Sequence, residues 1–193
     1  MKHLQRITIA ALALALWTVA VASPAGAATL EVGGIRQEAP VAIKATLKAG
    51  SSMPMTATNG LPFNTCTVSR LEGSSVSPFK ATAVSVPLSV LTLEGCVEER
   101  FTVDTRGTLT IENIAGTTNG TVRWTGARLT LPSMYGVIAC TTENTDVGLL
   151  TGVLKGAAVI DFNAVINCGP FWPSTRWVGT YTVTTPEGLG VTS

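Results

Sequence analysis

From Ala158 to Cys168 the chain alternates without a break. Ala158, Ile160, Phe162, Ala164, Ile166 and Cys168 fall on one parity, and Val159, Asp161, Asn163, Val165 and Asn167 fall on the other. Successive side chains of a strand point to opposite faces, so a period of two describes a strand buried on one side. The same pattern sets Val41, Ile43, Ala45 and Leu47 against Ala42, Lys44, Thr46 and Lys48. No stretch beyond residue 27 keeps the period of 3.6 that a helix requires. Threonine, valine and glycine dominate instead, with glycine turns about every ten residues, the spacing of short strands in an all-β domain.

The strands expected after Val41 are Met53–Thr58, Thr65–Leu71, Val84–Cys96, Gly120–Leu131, Gly136–Thr141, Ala158–Cys168 and Arg176–Thr185. Parity changes near Val90 and at Gly126, which predicts a bulge at each place. Pro87 removes a ladder donor and predicts an edge or an irregularity. Phe101–Asp104 and Thr108–Ile111 flank Thr105-Arg106-Gly107 and read as a hairpin. Together these predict a single-domain all-β fold of roughly ten strands, a β-sandwich of Ig-like or jelly-roll-like form, with a β-barrel as the alternative. Residues 28–40 read as an irregular lead-in, and 41–193 as the single all-β domain.

The first 27 residues have the layout of an export signal. Lys2, His3 and Arg6 precede an apolar run from Ile7 to Ala22, and Ala25 and Ala27 occupy the A-x-A places. Cleavage near Ala27 predicts a secreted or cell-envelope protein and removes the only histidine. Cys66, Cys96, Cys140 and Cys168 are then an even set in an oxidising compartment, which favours two disulfides over a metal site. Three pairings are open to four cysteines. The similar spacings of 30 and 28 residues favour Cys66 with Cys96 and Cys140 with Cys168.

Loss of the histidine excludes a Ser-His-Asp triad, a Cys-His dyad and a histidine-ligated zinc. Two-carboxylate chemistry could draw on Glu98, Glu99, Asp104, Glu112, Glu143, Asp146 and Asp161, but their placement singles out no pair. Glu143, Asn144 and Asp146 lack the spaced ligands of a calcium loop. No catalytic residue, metal or cofactor is therefore assigned, and the chain is expected not to be an enzyme. Of 13 basic and 12 acidic residues the signal takes Lys2 and Arg6, leaving 11 against 12, a balance unlike that of a nucleic-acid binder.

Phe171-Trp172-Pro173 follows Cys168-Gly169-Pro170 and is the densest aromatic cluster. Aromatics at the end of a β-domain either cap the core or bind a sugar or an apolar ligand. Phe171 and Trp172 are the candidate ligand-binding residues, whereas Trp177 has the core parity of its strand. Ala45-Thr46-Leu47-Lys48-Ala49-Gly50, Cys66-Thr67-Val68-Ser69-Arg70-Leu71-Glu72-Gly73 and Gly179-Thr180-Tyr181-Thr182-Val183-Thr184 resemble small secreted β-rich proteins of actinobacteria. The cysteine-punctuated, threonine-rich layout is more distantly similar to the extracellular alkane-oxidation activator family, whose link is to hydrophobic substrates. That family often carries Leu-Pro-Trp after a cysteine, and here Leu61-Pro62-Phe63 precedes Cys66. The resemblance carries no catalytic residues. The expected role is an exported binding or surface-interaction module, its partner a cell-envelope component, a polysaccharide or a hydrophobic ligand. An oligomeric envelope pore is a further alternative, because alternating strands also suit transmembrane barrels.

Overall fold

The computed structural model describes residues 27–97, 101–133, 136–142 and 146–193. Among them lie thirteen strands: β1 (Thr29–Val32), β2 (Ile35–Arg36), β3 (Ala42–Leu47), β4 (Met53–Ala57), β5 (Pro62–Ser74), β6 (Val84–Cys96) and β7 (Thr102–Asn113), then β8 (Gly120–Ser133), β9 (Gly136–Thr142), β10 (Asp146–Thr151), β11 (Val159–Asn167), β12 (Thr175–Thr185) and β13 (Leu189–Thr192).

Ten of these form one antiparallel sheet that returns to its own start. β5 pairs in turn with β6, β7 and β8, and β12 pairs with β11. Two broken strands complete the circuit. β9 and β10 both lie between β8 and β11, with Leu129 opposite Cys140 and Thr121 opposite Leu149. β3 and β4 likewise share the place between β5 and β12, with Tyr181 opposite Leu47 and Trp177 opposite Met55. The all-β expectation holds, and its barrel form describes this wall. Two sandwiched sheets would each keep free edges, whereas every strand of this wall has a paired strand on each side.

Period-two alternation explains the core. Ile43, Ala45 and Leu47, then Ile160, Phe162, Ala164 and Ile166, point inward and are buried, while Lys44, Asp161 and Asn163 face out. At the centre, Trp124 meets Trp177 edge-on at 5.2 Å and Phe162 at 6.2 Å, and Phe162 meets Tyr181 at 5.3 Å. Edge-to-face contacts suit the ring quadrupoles. They leave a void of only about 10 Å³ among Leu71, Trp124, Phe162, Ala164, Trp177 and Tyr181, too little for a channel through the barrel.

Both expected bulges are present. The register of β5 on β6 steps from Glu72 opposite Val90 to Gly73 opposite Leu88, so Ser89 is the extra residue. In β8, Val122 and Trp124 are buried before Gly126, and Ala127 and Leu129 after it, the glycine absorbing the shift at φ 71°. Pro87 is the last residue of β6 to pair with β7, so it marks an irregularity within the wall.

Three expectations need correction. The lead-in is structured: β1 pairs with β13 and β2, and Ala28 and Leu30 are fully buried. Val191, two residues from the C-terminus, supplies the partner that local sequence cannot reveal. No hairpin forms at Thr105-Arg106-Gly107, because β7 runs straight through it with a bulge between Val103 and Thr105. Gly107 adopts φ 73°, a conformation that serves a bulge as well as a turn. The main sheet has the expected ten strands, but its individual strands differ: β10 was not foreseen, β5 extends to Pro62 and Ser74, and β13 joins β1 and β2 in a second, small sheet.

The small sheet β13-β1-β2 covers one end of the barrel. Val191 N donates to Thr118 O at 3.0 Å, Val153 N to Leu189 O at 3.0 Å, and Leu30 N to Pro78 O at 2.8 Å. At the opposite end, the described connections around residues 58–61 and 168–174, together with Val97 and Gly136, have no such cover among the described residues.

Candidate functional site

The uncovered end carries an apolar cleft of about 330 Å³, lined chiefly by Leu61, Phe63, Ile138, Trp172 and Pro173, with Cys168 and Thr175 among the walls. Its residues come from three separated segments that the barrel brings together. A tight turn delivers the first: Gly60 N donates to Ala57 O and Ala57 N to Leu61 O, both at 2.8 Å, with Gly60 at φ 88°. The Asn59 side chain accepts from Leu61 N at 3.2 Å and completes the turn.

The second segment follows β11. Gly169 N donates to Asn167 Oδ1 at 2.9 Å, and Gly169 at φ 89° turns the chain into Pro170-Phe171-Trp172-Pro173. Thr58 N donates to Ser174 O at 2.8 Å, tying this loop to the first turn. The third segment is the start of β9. There the Cys140–Cys168 disulfide fastens β9 to the residue after β11, at directly opposite positions with 3.9 Å between Cα atoms. The bridge thus holds Ile138 against the base of the aromatic loop.

Phe171 and Trp172 part company. Trp172 is half-buried, packs against the core and lines the cleft. Phe171 is 93% exposed and does not line the cleft. Leu61, Phe63 and Ile138 were not singled out as a site. The available signal was charge: residues 58–63, 136–138 and 168–175 contain no charged residue at places where connections are normally polar.

The cysteines are bridged as spacing suggested. Cys66 and Cys96 are joined between β5 and β6, Cys140 and Cys168 as above, and neither pair leaves a free thiol. Two disulfides fit an oxidising environment. The described carboxylates do not converge. Asp161 accepts from Thr180 Oγ1 at 2.7 Å on the outer face of β11, Asp104 pairs with Arg128 at 3.4 Å, and Glu112 with Arg123 at 3.6 Å. Glu98, Glu99, Glu143 and Asn144 lie outside the described residues, as do residues 1–26 of the expected signal. Among the described residues no group of three or more His, Cys, Asp or Glu could hold a metal. Comparison with protein-family profiles, with curated proteins and with solved structures finds no match to this chain.

Proposed function

We propose that the chain is an exported, non-enzymatic binding domain whose uncovered end takes an apolar ligand. The observation that carries this reading is the cleft itself. Its 330 Å³ falls at the lower end of the range for small-molecule pockets, roughly 300–1,000 Å³. Its walls are Leu61, Phe63, Ile138, Trp172 and Pro173, and the Asn59 and Thr175 side chains are the polar groups at its border. At the opposite end β1 pairs with β13, and Ala28, Leu30, Leu189 and Val191 are fully buried there. The signal-like start of the sequence and the two disulfides support a location outside the cytoplasm.

A wall built of paired strands and stapled beneath the cleft gives a preformed site, so binding orders few side chains. An apolar fluorescent probe such as N-phenyl-1-naphthylamine tests this. Wild type is expected to bind it with a blue shift, and Trp172→Ala to weaken binding about tenfold or more while the melting transition stays cooperative. Equal uptake by the variant, or no uptake by wild type, would sink the reading.

A further inference from the structure

The cleft is surrounded by apolar side chains that it does not use. Val137 is 74% exposed, Phe171 93% and Val97 76%, and Leu61, on the cleft wall itself, is 63% exposed. Leu61, Val97 and Phe171 come from different connections at the uncovered end, and Val137 from the start of β9. The structure ties them into one rim. Val137 adjoins Ile138 and Phe171 adjoins Trp172 on the cleft wall, Val97 N donates to Thr65 O at 3.0 Å, and Phe101 meets Phe63 edge-on at 6.3 Å.

Single exposed hydrophobics are ordinary, and the covered end has Ile35 and Leu154. Those two are interleaved with charge, since Arg36 and Lys155 follow them directly. At the uncovered end, segments 58–63, 136–138 and 168–175 are uncharged, and Arg176, which follows the last of them in sequence, lies on the exposed face of β12.

We propose that this rim docks on a neutral lipid surface, with Phe171 and Val137 entering the apolar layer. Area argues against a second copy of the chain as the occupant. Four such side chains present on the order of 500 Å², within the range of a single surface patch. A stable dimer buries about 800 Å² from each partner. The lack of lysine and arginine in segments 58–63, 136–138 and 168–175 argues against an anionic surface, which calls for such residues on the docking face. A shallow apolar layer accepts separate loop tips without shape complementarity, and Trp172, half-buried at their base, suits the polar boundary. This inference goes beyond the cleft reading and does not depend on it.

Flotation with vesicles of pure phosphatidylcholine tests it, using protein exported and processed from the full chain. The wild type is compared with Phe171→Ser/Val137→Ser; both changes are at exposed positions and share one N-terminus. Wild type is expected to float equally at low and at molar salt, and the variant's bound fraction to fall about tenfold or more. Naphthylamine uptake by the same variant is expected to be unchanged, which separates the rim from the cleft. Wild type left unbound, or a variant that floats as well, overturns the proposal. So does binding that needs phosphatidylglycerol and disappears in salt, or a dimer in sedimentation equilibrium that the same substitutions dissolve.

Discussion

The Ser69 hydroxyl and the Tyr181 phenol stand 2.8 Å apart inside the barrel, joining β5 to β12 at the level where β3 ends and β4 has yet to begin. The phenol also donates to the Met53 thioether at 3.2 Å, which leaves Ser69 to donate to the phenol oxygen. Tyr181→Phe would strand the buried Ser69 hydroxyl and is expected to cost about 1–3 kcal/mol. Ser69→Ala should cost less, since the phenol keeps Met53. In urea titrations the double variant should lose less than the two single losses added, as coupled neighbours do. Strict additivity would show that the two groups do not interact.

Burial pushes the Tyr181 phenol well above its ordinary value of 10.0, outweighing the lowering effect of hydrogen bonds with Ser69 and Trp177. The folded state therefore keeps this proton after the unfolded chain has begun to lose it. The stabilising difference is fully present below pH 10 and declines above it, at up to about 1.4 kcal/mol per pH unit. Denaturant midpoints measured between pH 9 and 11 should fall more steeply for wild type than for Tyr181→Phe. Parallel slopes would count against a buried phenol.

Cys66 faces Cys96, and Cys140 faces Cys168, across neighbouring strands, closing loops of 30 and 28 residues. Each bridge is expected to contribute roughly 3 kcal/mol in the chain-entropy treatment. Replacing either pair by serine should therefore lower stability by a similar amount. Apolar-probe binding should separate them. Loss of Cys140–Cys168 loosens the cleft wall and should weaken uptake severalfold, while loss of Cys66–Cys96 should change it little.

Gly107 and Gly126 approach each other between β7 and β8, both at positive φ. A Cβ on Gly107 would come within 2.3 Å of Thr125 O and 2.6 Å of Ala127 N, whereas one on Gly126 would meet nothing nearer than the Gly107 Cα at 4.0 Å. Gly126→Ala should cost about 1–2 kcal/mol, the strain of a left-handed alanine. Gly107→Ala adds a clash with backbone that cannot move alone, and should cost clearly more. Thermal melts of the two variants would reveal the asymmetry.

Local pattern carried much of the wall. Ile160 to Cys168, the shift at Gly126 and the bulge at Ser89 were all written in parity, because burial of one face forces alternation wherever a strand runs. Closure was not. Leu47 opposite Tyr181 is a contact between residues 134 apart, and the same alternation would serve two separate sheets. β1 escaped notice for a related reason: Thr29–Val32 is short and runs into Gly33-Gly34, and only its pairing with Leu189–Thr192 makes it a strand. Trp172 stood out as an aromatic between prolines. Leu61, Phe63 and Ile138 did not, since each is unremarkable where it stands and they meet only through the order of strands.

The circular wall also sets a time order. β12 supplies the partner that β3 needs, and β13 the partner that β1 needs, so the earliest strands of the domain take their final neighbours from its last 20 or so residues. Non-local pairing of this kind is slow because loop entropy is lost before contacts repay it. Such a barrel cannot be finished while it is still being made. For the exported chain proposed above, that delay would keep the first half from locking into place before the second half has followed.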